Sequence, residues 1–334
     1  MFLYELTTLA ILFFVLVFNI KFRKVNDCEW ISRLNHLRGI AAIVIILGHV
    51  ARYETFTIIN YTRQFAYIIV SYFFFVSGLG LAKSFLTKPN YIRGFLVRKP
   101  LYLFLIAFLL YVFNVLICYL FKINNAYNYT TDNFLLNFIF ETNWYIWELI
   151  GFYFLFYIVF KYAKQYNLVL VTIILVIFVI ISYKSGWPSV YYKSALAFPL
   201  GLLVGLNYKK INGILNRKCI LLFILLCIGV GIMYGTVNNI LVRTVFMSNL
   251  LCASVLIGLL YLSLFVEFNN KLLHWLESYS TEIYLAQFVW LLFVQQNVNN
   301  YCIKFPLVTL LTLLSAILLH LIIKPIKQYL NKTW

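Results

Sequence analysis

"LRGIAAIVIILGHV" (residues 37–50) decides the fold class of this chain. The ten residues from Gly39 to Gly48 carry no polar side chain, and an apolar run of this kind is typical of a helix in lipid. The run begins at Arg38 and ends at His49. Eleven positions make about three helical turns and a rise of roughly 16 Å, so both side chains are expected on one face of the helix.

The composition of the whole chain points to a membrane protein. Of 334 residues, 63% are hydrophobic and 11% are charged, and the mean hydropathy is +0.90. A soluble domain has too little interior for so many apolar side chains, which excludes the soluble classes. The net charge of +17 fits basic loops on the cytoplasmic side of a membrane. No basic stripe alternates with stacking aromatics in a polar setting, so nucleic acid is not an expected partner.

Apolar runs recur along the chain and predict an all-α bundle of about eleven transmembrane helices. Strands are not expected, because these runs are apolar on every face whereas a membrane barrel alternates. The first run has no basic leader and is interpreted as a retained helix, giving an extra N-terminal helix (1–22) ahead of a core (23–334). The predicted spans are 3–20, 36–52, 66–86, 97–121, 144–162, 167–183, 190–207, 219–235, 241–265, 278–297 and 305–323.

Basic residues alternate between the two sets of loops. One set of joints (21–38, 83–99, 161–164, 209–218, 266–277 and 324–332) holds 20 of the 27 Lys and Arg residues. The positive-inside rule predicts that these joints are cytoplasmic. In a protein of the plasma membrane, the N-terminus is then outside the cell and the C-terminus is in the cytoplasm. The longest outer joint, 122–143, is polar and rich in Asn; it is either a plain connector or a loop that contacts an extracellular ligand.

The six cysteines are scattered through apolar runs, with no Cys-x-x-Cys and no His at ligand spacing. They are interpreted as small buried hydrophobes, and no metal site is predicted.

Several ionisable residues lie inside or near the predicted spans, where charge is costly. His49 could bridge two helices or face a cavity, and its depth favours a function. Arg38 alone is typical of an anchor that snorkels to the interface. Glu148 could orient His49, pair with Arg38, or be a protonated structural group, whereas Glu282 is expected at a cytoplasmic surface. Trp144, Tyr145 and Trp147 are expected in an interfacial aromatic belt, and Ser77 and Gly78 in close helix packing.

Five segments in order resemble acyltransferase family 3 membrane proteins over about residues 33–325. The segment "RLNHLRGIAAIVIILGHV" (33–50) is similar to the opening signature of that family, an Arg followed eleven residues later by a His. The other four are "YFFFVSGLGLAKSF" (72–85), "FLVRKPLYLF" (95–104), "NWYIWELIGFYFLFYI" (143–158) and "YSTEIYLAQ" (279–287).

The sequence departs from the family pattern at two positions. The third helix of the family commonly opens with two arginines three apart, whereas here Arg98 is followed by Lys99, Pro100 and Leu101. Gln287 stands where many relatives have His. The resemblance also implies a core-only form without the appended extracytoplasmic domain of some relatives.

The resemblance implies an O-acyltransferase, in particular an O-acetyltransferase. Such a protein moves an acyl group from cytoplasmic acyl-coenzyme A to a hydroxyl of a cell-envelope or exported glycan. Acyl-coenzyme A (acetyl-coenzyme A) is then the donor substrate, and no permanently bound cofactor is expected. The donor would meet a basic mouth formed by Arg38, Arg93, Arg98 and Lys99.

At the reacting centre the expected catalytic residues are His49 and Glu148. His49 would act either as general base on the acceptor hydroxyl or as a transient acyl carrier. A transporter or flippase for a polar lipid or glycan, or a structural subunit of an envelope-building complex, is the alternative. No internal repeat and no paired Gly/Pro-interrupted helices of the transporter kind are found in the sequence.

Overall fold

The fold was analysed in a computed structural model, which describes residues 2–23, 29–54, 58–123, 138, 144–163, 166–211, 219–268 and 270–333. The described chain is almost entirely helical. Its first helices are α1 (Phe2–Val17), α2 (Glu29–Val50), α3 (Ile59–Gln64), α4 (Ala66–Thr87), α5 (Tyr102–Leu120), α6 (Trp144–Tyr162) and α7 (Asn167–Lys184). They are followed by α8 (Val190–Lys193), α9 (Ala197–Leu206), α10 (Cys219–Thr236), α11 (Ser248–Phe265), α12 (Lys271–Ser278), α13 (Ser280–Asn297) and α14 (Tyr301–Thr333).

Within the described part of the chain, seven helical segments are long and apolar enough to cross a membrane, which confirms the prediction of a helical membrane bundle. They are Glu29–Tyr53, Ala66–Thr87, Val97–Leu120, Trp144–Tyr162, Asn167–Lys184, Val242–Phe265 and Tyr301–Leu330. Shorter apolar helices are Phe2–Val17 and Val190–Leu206. All eleven predicted spans fall on helices, whereas a count of eleven crossings remains a prediction.

The helices differ from the predicted spans at their ends. The first core helix begins at Glu29 instead of residue 36, because its polar first turns pack against other parts of the chain. The span 190–207 is broken into α8 and α9, and two short helices, α3 and α12, were not predicted. Most of the polar joint 122–143, and therefore its suggested contact with a ligand, lies outside the described residues.

The expectation of no strands is wrong for one short element. Strands β1 (Ile20–Phe22) and β2 (Val266–Phe268) pair antiparallel, with Lys21 opposite Glu267. The pair lies in two joints between helices, where loop backbone needs hydrogen-bond partners that the helices cannot provide.

Within each predicted set of joints, the structure shows contacts between members of the same set. The β1–β2 pair joins two of the basic joints. In the other set, Lys304 donates to Glu54 Oε1 at 2.5 Å, and the Glu5 carboxylate accepts from the backbone N–H groups of Ile58 and Ile59 at 2.6 and 2.9 Å. The Glu5 contacts fasten the extra helix α1 to the core.

Helices α4 and α9 pack backbone to backbone through glycines. A Cβ at Gly78 would collide with the carbonyl of Phe198, and one at Gly201 with the carbonyl of Phe75. Small residues permit such contacts between membrane helices. This confirms the packing role predicted for Gly78 and holds α4 firmly beside the cavity that it lines.

Candidate functional site

One large cavity opens between α2, α4, α5, α6, α13 and α14, with a volume of about 450 Å³. A volume of this size is typical of a site for a small molecule, roughly 300–1,000 Å³. Its polar and aromatic lining residues include Asn35, Arg38, Phe73, Ser77, Ser84, Lys88, Tyr91, Arg98, Lys99, Tyr102, Tyr145, Tyr153, Ser280, Thr281, Tyr284 and Lys327.

Among the described residues, five cationic side chains and no acidic residue line the cavity. The cations are Arg38, Lys88, Arg98, Lys99 and Lys327. No carboxylate among the described residues lies within salt-bridge distance of any of the five. Concentrated positive charge with low-dielectric walls attracts anions, and phosphate and carboxylate groups are the anions that Arg and Lys side chains bind by charge-assisted hydrogen bonds.

A π-helical turn at Val97–Leu101 places two of these cations. Pro100 lies in this turn and has no N–H to offer to the helical ladder, which favours a local widening. The turn directs Arg98 and Lys99 towards the cavity wall. From α2, Arg38 approaches the same cavity, and its buried Nε has no hydrogen-bond partner among the described residues.

Arg98 also holds the turn that precedes it. Its Nη2 donates to the backbone carbonyls of Tyr91 at 2.8 Å and Arg93 at 2.7 Å. Burial raises the pKa of Tyr91 to about 12, so its hydroxyl stays protonated at the cavity mouth. The Arg93 side chain is exposed and does not line the cavity.

Three aromatic side chains of the cavity lining pack against one another; we call Phe73, Tyr145 and Tyr284 the aromatic partition. Tyr145 and Tyr284 meet edge-to-face at 4.9 Å between ring centroids, and Phe73 lies 5.8 Å from Tyr284. Tyr145 therefore lines the cavity, whereas its place in an interfacial aromatic belt stays a prediction. Ser77, predicted in close helix packing, also lines the cavity.

His49 does not line the cavity. Its ring packs on Phe288, with centroids 4.8 Å apart. Phe288 follows Tyr284 by four residues on α13, which is about 6 Å of helical rise. The residue that the His49 ring contacts thus lies about one helical turn along α13 from Tyr284, which lines the cavity.

Glu148 is buried on α6, and neither carboxylate oxygen has a hydrogen-bond partner within the described part of the chain. It pairs with neither Arg38 nor His49. A charge on this carboxylate would interact electrostatically with Tyr145 and Tyr191. A buried polar group without a partner is costly, so this carboxyl either stays protonated or meets a ligand.

Glu282 is buried rather than exposed, so its expected surface position is wrong. Its Oε1 lies 2.9 Å from Nδ1 of His320 on α14, and only 5% of the residue is exposed. His320 gives the buried Glu282 carboxylate a hydrogen-bond partner, which the sequence pattern did not predict.

Sequence reasoning missed residues that reach a site from distant parts of the chain. Lys88 and Lys327 line the cavity from the end of α4 and from the last helix. A separate cluster of His36, His274 and Glu277 forms where α2 and α12 meet. Nothing in the spacing of these residues signals their proximity, since His36 and Glu277 are 241 positions apart.

Comparison with known proteins identifies the family. A family model described as an acyltransferase domain matches residues 31–323. No curated protein and no solved structure matches the chain with significant similarity. The match covers most of the chain and contains all five resembling segments, and the chain therefore belongs to acyltransferase family 3.

Proposed function

We propose that this membrane acyltransferase is an O-acetyltransferase of the plasma membrane. It takes an acyl group from cytoplasmic acyl-coenzyme A and gives it to a hydroxyl of a cell-envelope or exported glycan. Membership of the family favours this enzyme over a transporter or a structural subunit. The main support for acyl-coenzyme A as the donor is the cavity, which is lined by five cations and by no acidic residue among the described residues.

The donor fits the cavity by charge and by size. Its phosphates would meet Lys88, Arg98, Lys99 and Lys327, and Tyr91 adds a neutral hydroxyl donor. A volume of about 450 Å³ suits the narrow thioester arm, while the nucleotide end would lie on the basic face outside. Arg38, with its free Nε, would guide the arm inward.

The chemistry is assigned to His49. A neutral imidazole there takes the proton of the acceptor hydroxyl as the oxygen attacks the thioester carbon. The carbon–oxygen bond forms, the carbon–sulfur bond breaks, and the thiolate leaves and takes up a proton. In a two-step route, the His49 nitrogen attacks the thioester carbon and the thiolate leaves; the acceptor oxygen then displaces the imidazole from the acyl carbon, and the acceptor proton passes to the thiolate.

The aromatic partition must open for this reaction. About 6 Å of helical rise separates Tyr284 from the level of His49, so rotation of Tyr284 and Tyr145 would join the cavity to the histidine. In this proposal the partition keeps water from the thioester until an acceptor arrives.

Glu148 is proposed to bind the acceptor. Its buried carboxyl has unused hydrogen-bonding capacity, and a glycan hydroxyl would supply the missing partner. The side of the protein that holds Glu54 and Lys304 would then face outwards, with the cationic cavity opening to the cytoplasm.

Mass spectrometry of envelope glycans tests the proposal. Cells that express the chain should carry glycans heavier by one acyl unit than cells without it, and purified protein should release coenzyme A thiol from acetyl-coenzyme A when acceptor is added. An unchanged glycan profile together with no thiol release would contradict it.

A further inference from the structure

Two histidines and a glutamate meet where α2 crosses the short helix α12, outside the cavity. His36 Nδ1 lies 2.6 Å from Glu277 Oε2, and the rings of His36 and His274 are 3.9 Å apart between centroids. One ligand atom from each of the three residues lies within 4.8 Å of the other two. The donor set is therefore two imidazoles and one carboxylate around a common point.

This donor set has the chemistry of a divalent transition-metal site. Zn²⁺ takes imidazole nitrogens and carboxylate oxygens at about 2.0–2.2 Å, commonly with three protein ligands and one open position. Ligands at those distances around a tetrahedral ion lie roughly 3.3–3.6 Å apart. Binding would therefore separate His36 Nδ1 and Glu277 Oε2, now 2.6 Å apart, by about 1 Å, and would draw ligand atoms that lie up to 4.8 Å apart together by a similar amount. His274 is exposed, and rotation of its side chain can supply this movement.

The backbone beneath the cluster is fixed. A Cβ at Gly39 would overlap Leu276 and the backbone of Glu277, so α2 and α12 touch at this point. His274 and Glu277 are three residues apart on α12 and share a face. Asn270 caps α12 by accepting from the Leu272 N–H at 2.9 Å.

Neighbouring residues orient the His36 ring and offset the positive charge close to the cluster. The Nε2 of His36 lies 3.4 Å from the Ser32 hydroxyl, a contact that resembles the outer-shell contacts of metal-bound histidines. With the ring proton on Nε2, Nδ1 could exchange its contact with Glu277 for a bond to the metal. Arg33, one turn earlier, is 3.5 Å from Glu267 and 3.8 Å from Glu29. The two carboxylates therefore offset the positive charge of Arg33 near the cluster.

We propose that His36, His274 and Glu277 bind a divalent transition-metal ion, with Zn²⁺ as the best fit, and that the ion clamps α12 to α2. The clamp would fix the first turns of α2 two residues before Arg38, and it is independent of the proposed donor and acceptor.

Metal titration of the purified chain tests this proposal, using a tag that contains no histidine. The parent should bind one equivalent of Zn²⁺, and Co²⁺ should give the visible absorption of a nitrogen- and oxygen-ligated ion. His274→Ala and Glu277→Gln should weaken Zn²⁺ binding by at least ~10–100-fold, the loss typical of disturbing even an outer-shell contact. Zn²⁺ should also raise the Tm of the parent, because it binds only the folded state.

His320→Ala is the matched control, because His320 is also a histidine beside a glutamate, 2.9 Å from Glu282. It should retain full Zn²⁺ affinity and the Zn²⁺-dependent rise in Tm. A parent that binds no Zn²⁺, or a His274→Ala protein that binds as tightly as the parent, would overturn the proposal. His274 is exposed, so this variant is expected to fold even if Glu277→Gln does not.

Discussion

Lys99→Met should weaken donor binding and leave the fold at least as stable. The substitution keeps the length of the side chain but removes one of the five charges in the cavity. Lys99 has four cationic neighbours, Arg38, Lys88, Arg98 and Lys327, and no carboxylate within salt-bridge distance in the described residues. In the empty protein the lysine is therefore repelled, and its removal relieves that repulsion.

The expected loss of affinity follows from the charge geometry. A phosphate 4 Å from the ammonium gains about 4 kcal/mol at an effective dielectric constant of 20. Four remaining cations compensate part of this, which leaves roughly 1.4–2.8 kcal/mol, a 10–100-fold rise in Kd. The difference should shrink at high salt, since the Debye length falls from about 10 Å at 0.1 M to about 3 Å at 1 M.

The assay is acetyl-coenzyme A binding by calorimetry at low and high salt, with Tm measured on the same samples. Arg93→Met is the matched control, because it removes a cation from the same basic joint but from an exposed position outside the cavity. It should change Kd far less. A Lys99→Met protein that binds as well as the parent at low salt, or loses no more than the control, would refute the reasoning.

Three further predictions concern the scaffold and its orientation. Arg98→Ala should destabilise the protein by roughly 1–2 kcal/mol, because the Tyr91 and Arg93 carbonyls lose their donor; an unchanged unfolding curve would contradict this. Gly201→Ala should cost roughly 1–3 kcal/mol through overlap with the Phe75 carbonyl, whereas Gly151→Ala, with open space around it, should not; equal Tm values would contradict the packing. In a background without the native cysteines, an impermeant thiol reagent should label Asn300→Cys on intact cells and Lys209→Cys only after permeabilisation; the reverse pattern would invert the topology.

The sequence was enough to locate the long helices, because a run of apolar residues in lipid has few alternatives to a helix. It did not locate α12, which is short and amphipathic, or the break between α8 and α9. It also missed the strand pair, whose hydrogen bonds join residues about 246 positions apart (Ile20 to Phe268 is 248, Phe22 to Val266 is 244). Such contacts depend on how helices pack, which periodicity along one helix does not encode.

In the candidate site too, residues could be predicted from a single helix or joint, whereas those brought together by helix packing could not. Arg38, Arg98 and Lys99 were predicted from one helix start and one basic joint, and all three line the cavity. Lys327 was missed because only packing brings α14 to the cavity. The shared face of Arg38 and His49 was derived from helical geometry, whereas the aromatic partition comes from α4, α6 and α13 and could not be read from that helix.

Acyl transfer by His49→Gln, measured beside its stability, tests the central claim most directly. Gln can still hydrogen-bond but has no useful basicity near neutral pH. With purified protein, acetyl-coenzyme A binding and Tm should stay near the parental values. The rate at which envelope glycans gain O-acetyl groups in expressing cells should fall by ~10²–10⁴-fold, the usual contribution of a general base. A stable His49→Gln protein that acetylates at close to the parental rate would contradict the account.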